Sequence, residues 1–251
     1  MCELLGLTSG RPVRPSATLA AFRSRGGQAA DNGDGWGIAY LAGGLFRVEK
    51  APEAAATSTR FAQLASTVTS ELVVAHVRKA RDPPVPGMLN THPFTHVCCG
   101  REWVFAHNGM VPEVIEHAPQ QVVCKPAGET DSEHAFCHLL GAIASCYEGG
   151  AERDWMGRLE RQAGSISLLG KFNFLLSDGD VLVAYGHDRL HYLEDAGGVH
   201  DLALVATEPI TAQGWRPFLR GELRVYRAGQ LALRLLATPE TPHLLRVKTG
   251  A

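Results

Sequence analysis

The sequence predicts an α+β fold in which antiparallel strands are covered by a few helices. Three observations carry this. Short, often β-branched runs bounded by glycine or aspartate recur in both halves of the chain. Gly43-Gly44 and Asp178-Gly179-Asp180 each separate two such runs and read as hairpin turns, which pair strands antiparallel. Helical segments are fewer than strands, so they are expected to lie on sheet faces rather than to form a bundle.

In chain order, strand runs fall at 2–7, 36–41, 45–49, 72–77 and 103–106, then at 172–176, 181–185, 202–206 and 222–226. Helices are expected at 16–25, 57–66, 131–146 and 152–163, the first two following proline and serine or threonine. The third has the best-marked start. Thr130-Asp131-Ser132-Glu133 has the form of a capping box, and Ala135, Leu139, Ala142, Ile143 and Cys146 follow at helical spacing. The stiffest loop is Asp82-Pro83-Pro84-Val85-Pro86-Gly87, closely followed by Cys98-Cys99-Gly100. No Gly-, Ser- or Pro-rich linker divides the 251 residues and no repeat is evident, so 1–251 reads as one domain.

Hydrophobic residues make up 45% of the chain, enough for a sizeable core. Twenty-four Lys and Arg nearly balance 26 Asp and Glu without a basic run, which argues against nucleic-acid and anionic-membrane partners and favours a small neutral or zwitterionic substrate. No stretch approaches the ~20 apolar residues that span a bilayer, and the N-terminus lacks signal-peptide character, so a cytoplasmic location is expected. The six cysteines (2, 98, 99, 124, 137 and 146) lack the spacing of a disulfide framework, and reduced thiols are expected. His134, Cys137 and His138 fall at i, i+3 and i+4 of a helix, yet no CxxC completes a zinc site; a buried helix face, no metal and no cofactor are expected.

Cys2 directly follows Met1. Removing Met1 would leave a thiol and an α-amine on one residue, titrating near ~8.5 and ~8, so the amine can accept the thiol proton around neutrality. Taken on its own, the position is better explained by an ordinary buried cysteine in a first strand. Four downstream signals decide between these readings, because their chemistry suits an amide with an amino-acid head. Arg78 ends the strand run Ala75-His76-Val77-Arg78, where a guanidinium can grip a carboxylate through two parallel hydrogen bonds. Asn108-Gly109 breaks the strand run Val104-Phe105-Ala106-His107 and can point an amide and a backbone N–H at one oxygen, although Asn-Gly is also a common turn. Asp131 lies in the first turn of the third helix, where the helix favours an ionised carboxylate able to hold an ammonium; Thr130 and Glu133 satisfy the cap and leave Asp131 free. Asn32-Gly33-Asp34-Gly35-Trp36-Gly37-Ile38 is not a dinucleotide fingerprint, and its glycines instead suit close approach of strands and a neighbouring loop.

Together, Met1-Cys2-Glu3-Leu4-Leu5-Gly6, Asp34-Gly35-Trp36-Gly37-Ile38, His76-Val77-Arg78, Asn90-Thr91-His92-Pro93-Phe94, His107-Asn108-Gly109 and Glu129-Thr130-Asp131-Ser132-Glu133 resemble the class II glutamine amidotransferase family in wording, order and spacing. Phe172-Asn173-Phe174-Leu175-Leu176-Ser177-Asp178-Gly179 and Val205-Ala206-Thr207-Glu208-Pro209 extend the resemblance over nearly the whole chain. It is strongest to the short standalone branch, which includes γ-glutamyl amidohydrolases of ergothioneine biosynthesis and glutathione breakdown. The resemblance implies an N-terminal-nucleophile hydrolase fold, an αββα four-layer sandwich with two antiparallel sheets. It also implies that Cys2 attacks a γ-carbonyl, Asn108 and Gly109 hold the oxyanion, Arg78 binds the α-carboxylate, Asp131 binds the α-ammonium and His92 supports the pocket. Where glucosamine-synthase-like members carry Trp-Ala-Thr-His after the arginine, this chain has Lys79-Ala80-Arg81-Asp82, so contacts closing over the substrate are expected to differ.

The reaction so implied is hydrolysis of a γ-glutamyl amide to glutamate and an amine. No ammonia-consuming acceptor domain is expected within the chain, which leaves two enzymatic readings: a self-contained hydrolase of a larger γ-glutamyl amide, slightly preferred, or a glutaminase subunit delivering ammonia to a separate synthase. A catalytically silent binding protein of the same fold is disfavoured by retention of Cys2, Asn108 and Asp131. Bile-salt or penicillin acylase relatives would also open on cysteine, but their substrates offer nothing for Arg78 and Asp131 to hold.

Overall fold

The computed structural model describes residues 2–80, 87–146, 152–198, 201–210, 213–236 and 246–247. The first half runs β1 (Glu3–Val13), α1 (Ser16–Ser24), β2 (Gly35–Ala42), β3 (Leu45–Ala51), α2 (Thr59–Thr67), β4 (Ser70–Arg78), β5 (Phe94–Cys98), β6 (Arg101–Met110) and the short β7 (His117–Ala118). The second runs α3 (Asp131–Ala144), α4 (Glu152–Ser167), β8 (Lys171–Ser177), β9 (Val181–Gly186), β10 (His191–Leu193), β11 (Leu202–Ala206), β12 (Arg216–Pro217), β13 (Glu222–Arg227), β14 (Gln230–Leu236) and β15 (Arg246–Val247).

Among the described residues two large antiparallel sheets result, beside a two-stranded pairing of β7 with β15. One has seven strands in the order β12-β10-β11-β1-β4-β2-β3, the other six in the order β14-β13-β9-β8-β6-β5. The side-chain alternation of a strand gives each sheet two faces, and both are apolar here. One face of the seven-stranded sheet, with Leu5, Leu7, Trp36 and Val73, is buried under Leu19 and Phe22 of α1 and Phe61 and Leu64 of α2. Its other face, with Leu4, Leu72 and Val74, packs on Val104, Leu175 and Leu182 of the six-stranded sheet. The outer face of that second sheet, with Phe105, Phe174 and Val183, lies beneath Phe136 and Leu139 of α3 and Leu159 of α4. Helix, sheet, sheet and helix therefore stack in four layers, the αββα arrangement expected, each buried Leu, Val or Phe contributing about 1.5–3 kcal/mol. At Gly37 an added Cβ would stand 2.1 Å from the carbonyl oxygen of His92, so the expected close approach of a loop to this strand is real.

Several expectations are corrected. The chain does not break at Asn108-Gly109: β6 continues to Met110, with Asn108 opposite Asn173 and Gly109 opposite Phe172 of β8. The second helix starts later than 57 because Ser58 is its N-cap, accepting the Phe61 N–H at 3.2 Å. β5, β10 and β14 are additional strands. The thiols are not all reduced, since Cys124 and Cys137 are joined in a disulfide that ties the segment before α3 to its second turn. The proline-rich stretch 82–86 lies outside the described residues.

Candidate active site

The pleat that builds the central layer also gathers the site. Cys2 shares the parity of Leu4, Arg78 that of Leu72 and Val74, Asn108 that of Val104, and Asn173 that of Leu175. All four positions thus belong to the faces that the sheets turn toward each other. Arg78, Asn108 and Asn173 are almost fully buried, while Cys2 is half-buried.

Cys2 is held at the mouth of this interface by backbone groups. Its Sγ accepts the Lys79 N–H at 3.2 Å and lies 3.4 Å from the Lys79 carbonyl oxygen. Burial pushes its thiol above the ordinary range, opposed by the Lys79 N–H and the positive charge of Arg78. The following strand is fixed on both sides, with Leu4 pairing His76 of β4 and its N–H donating to Thr207 Oγ1 at 3.1 Å. Asn108 reaches across from the second sheet and donates its Nδ2 to the Cys2 carbonyl. Gly109 follows at φ +148°, where a Cβ would collide with the Lys171 carbonyl oxygen at 1.9 Å.

Arg78 ends β4 one residue before the Lys79 amide that contacts the thiol, so strand geometry ties the guanidinium position to that of the nucleophile. The loop below is braced: the Arg78 carbonyl accepts the Asp34 N–H at 3.0 Å, and the Asp34 carboxylate accepts the Ala80 N–H at 2.8 Å.

Asp131 occupies the start of α3 as expected, but it is not left free. Its Oδ2 accepts the Val111 N–H at 2.7 Å and its Oδ1 the Ser132 N–H at 3.0 Å. These bonds dock the helix N-terminus on the end of β6, two residues beyond Gly109. Thr130 caps through the Glu133 N–H at 3.3 Å, whereas Glu133 turns away from Thr130 to take the Gly128 N–H at 2.7 Å, so the capping box is only half formed. His107 adds a second tie. Its Nε2 lies 3.1 Å from the Lys171 carbonyl, which can only accept, so Nδ1 accepts from Ser132 Oγ at 2.9 Å.

His92 is placed by ring packing rather than by polar contacts. Its ring packs 4.3 Å from His76 and 4.5 Å from Phe94, and among the described residues neither ring nitrogen has a hydrogen-bond partner. Burial holds both imidazoles neutral, with His76 pushed down to about 3 and His92 also well below the ordinary value.

Sequence reasoning gave no role to Asn173, Lys79 or Thr207. Asn173 had a signal, an asparagine flanked by phenylalanines inside an apolar strand; the backbone amide of Lys79 and the hydroxyl of Thr207 had none. The assembled groups hold a half-buried thiol on a backbone N–H and bring an amide donor to its residue from the opposite sheet.

Residues 1–197 match the family described as glutamine amidotransferases class-II. The chain is 32% identical over 256 residues to YafJ of Escherichia coli, covering 92% of this chain and 99% of that protein. It is 28% identical over 187 residues to the gamma-glutamyl-hercynylcysteine sulfoxide hydrolase of Mycobacterium tuberculosis, covering 73% of this chain and 71% of that one. Among solved structures, a predicted glutamine amidotransferase from Pseudomonas aeruginosa superposes with a TM-score of 0.70 at 30% identity, covering 92% of this chain and all (100%) of the other. The glutamine phosphoribosylpyrophosphate amidotransferase of Bacillus subtilis shares the fold, with a TM-score of 0.65 at 17% identity over 94% of this chain and 49% of that one.

Proposed function

The chain belongs to the class-II glutamine amidotransferases, and on that premise we propose that it hydrolyses a γ-glutamyl amide, with Cys2 as nucleophile and an amine larger than ammonia as leaving group. The observation that carries the catalytic part is the contact between the two sheets at Cys2, where the thiol rests on the Lys79 N–H and the Asn108 amide arrives from the opposite side. The similarity to a γ-glutamyl hydrolase over 73% of the chain supports the leaving group.

With Met1 removed, the α-amine of Cys2 takes the thiol proton and the thiolate attacks the γ-carbonyl. The tetrahedral oxyanion forms beside the Asn108 Nδ2 and the Gly109 N–H, donors whose individual loss typically costs ~10²–10³ in rate. Collapse breaks the C–N bond, and the ammonium of Cys2 returns its proton to the departing amine. Water then attacks the γ-glutamyl thioester, releasing glutamate and restoring the thiol. Arg78 pairs with the substrate α-carboxylate and Asp131 with its α-ammonium. The Val111 and Ser132 N–H groups fix the Asp131 carboxylate for that task.

Two measurements test this. Processed protein is incubated with glutamine, glutathione and other γ-glutamyl amides, and glutamate release is assayed. Faster turnover of a larger amide supports the proposed leaving group, preference for glutamine points to ammonia delivery to a separate synthase, and no turnover of any overturns hydrolysis by this chain. Arg78→Lys and Asp131→Asn should each lower kcat/KM by about 10- to 100-fold, the worth of a charge-assisted hydrogen bond. Unchanged values would remove both residues from substrate recognition.

A further inference from the structure

Three side chains outside the Cys2 site converge on the outer face of the six-stranded sheet. His96 of β5, Cys124 of the segment before α3 and Cys137 of α3 place a ring nitrogen and two sulfurs within 4.8 Å of one another. The disulfide accounts for the two sulfurs but not for the imidazole. His96 Nε2 is buried, and the polar group beside it is the Glu133 carboxylate. A Glu133 carboxylate oxygen, Oε1, stands 3.4 Å from that nitrogen, while its other oxygen, Oε2, is taken by the Gly128 N–H at 2.7 Å. His96 and neighbouring backbone N–H groups hold the Glu133 carboxyl below the usual range despite its burial.

Two thiols and one imidazole form a donor set suited to a soft divalent cation in tetrahedral coordination, with a carboxylate beside the imidazole that can complete it. Bonds of ~2.3 Å to sulfur and ~2.0 Å to nitrogen set ligand atoms about 3.5–3.8 Å apart. That spacing fits inside the 4.8 Å compass already present. We propose that, once the disulfide is reduced, Cys124, Cys137 and His96 bind a divalent cation of the zinc class, with Glu133 Oε1 as fourth ligand. This trio replaces the His134, Cys137 and His138 grouping weighed from helical spacing, and it sets aside the expectation of no metal. His138 packs in the core immediately after the disulfide cysteine of its own helix.

The two states exclude each other. A phosphine reductant supplies two electrons to the disulfide, two protons from water give two thiols, and the phosphine leaves as its oxide. Binding of the cation then displaces both thiol protons. Glu133 and Cys137 lie two and six residues beyond Asp131 on α3, so the bound cation would pin the first turns of this helix to β5.

The test uses the full chain, anaerobic and reduced with a phosphine, titrated with Co²⁺ and then with Zn²⁺. The expected result is one equivalent of Co²⁺ giving a thiolate-to-metal charge-transfer band in the near ultraviolet, abolished by Zn²⁺. Cys124→Ser and Cys137→Ser should lose that band, and His96→Ala should weaken Co²⁺ binding by at least about 10-fold. The absence of a band in the wild type, or its persistence in both serine variants, overturns the proposal. Should a serine variant fail to fold, alkylation of the reduced wild type mapped by peptide mass spectrometry decides. Zn²⁺ must protect Cys124 and Cys137, and equal labelling with and without it overturns the site.

Discussion

Asn173 faces Asn108 directly across β6 and β8, donating its Nδ2 to the Asn108 Oδ1 at 3.3 Å and to the Asn108 carbonyl at 3.2 Å. With Oδ1 engaged by a donor, the Asn108 NH₂ must point the other way, toward Cys2. Asn173 is itself locked. Its Nδ2 also reaches Asp188 Oδ1 at 2.8 Å, and its Oδ1 accepts the N–H groups of His187, Asp188 and Arg189 at 2.8, 3.1 and 3.4 Å. It is therefore a positioning residue that sets the direction of the Asn108 amide.

Asn173→Asp tests this with little change of shape. The substitution keeps an acceptor for the three backbone N–H groups but turns an oxygen toward Asn108 Oδ1 and Asp188. The expected outcome is a fall in kcat of about 10- to 100-fold with KM changed little, smaller than outright loss of an oxyanion donor. Steady-state kinetics on processed protein measures it, and an unchanged kcat would separate Asn173 from catalysis.

Gly109 is constrained on two counts, a backbone at φ +148° and a Cβ position 1.9 Å from the Lys171 carbonyl. Either an added methyl pushes β8 away or the β6–β8 register opens. Gly109→Ala should cost more than ~3 kcal/mol, by backbone strain and overpacking together. Denaturant unfolding reads this directly; a loss under 1 kcal/mol would show that the strand pair can yield here.

Much of the architecture was legible because its signals are local. Hairpin turns at Gly43-Gly44 and Asp178-Gly179-Asp180, the apolar runs of β1 and β4, and the Thr130 cap each follow from neighbouring residues. Cys2, Arg78 and Asn108 stood out in the sequence, and strand parity places them on the faces that the two sheets turn toward each other. What escaped depended on partners distant in sequence. Asn-Gly reads as a turn until Phe172 is known to pair with Gly109, and Asn173 has no evident role until β8 lies beside β6. β14 is a largely exposed edge strand whose Leu233 and Leu235 alternate onto the core, but its Gln-Leu-Ala-Leu-Arg-Leu-Leu run holds no β-branched residue to mark it as a strand. No spacing rule joins Cys124 to Cys137, since only the docking of the preceding segment against α3 brings them together.

The raised thiol pKa of Cys2 has a kinetic signature in chain that retains Met1, where the α-amine belongs to the preceding residue and favours the thiolate only as a nearby positive charge. Desolvation disfavours the thiolate more than the Lys79 N–H and Arg78 favour it. Iodoacetamide labelling of Cys2 should rise with pH around a midpoint above that of an unstructured cysteine peptide. Arg78→Gln should move it further up, since a positive charge that favours the thiolate is removed. A midpoint at or below the peptide value would contradict the assigned balance.

The His76–His92 pair makes a pH prediction for the whole fold. Both imidazoles are neutral when folded, His76 pushed down to about 3 and His92 also well below the ordinary value, whereas in the unfolded chain each protonates near ~6.5. Above that pH neither state binds a proton and the pair contributes nothing to pH dependence. As pH falls below it, the unfolded chain takes up protons that the folded one refuses, so stability is lost down toward the folded values. Each imidazole contributes a slope of about 1.4 kcal/mol per pH unit in this window. The midpoint of urea unfolding should therefore be nearly flat from pH 8 to 7 and fall steeply from pH 6 to 4.5. His92→Gln, which keeps a polar side chain but cannot titrate, should make that fall shallower by roughly half of the pair's share. An identical slope in wild type and variant would show that other groups govern acid unfolding.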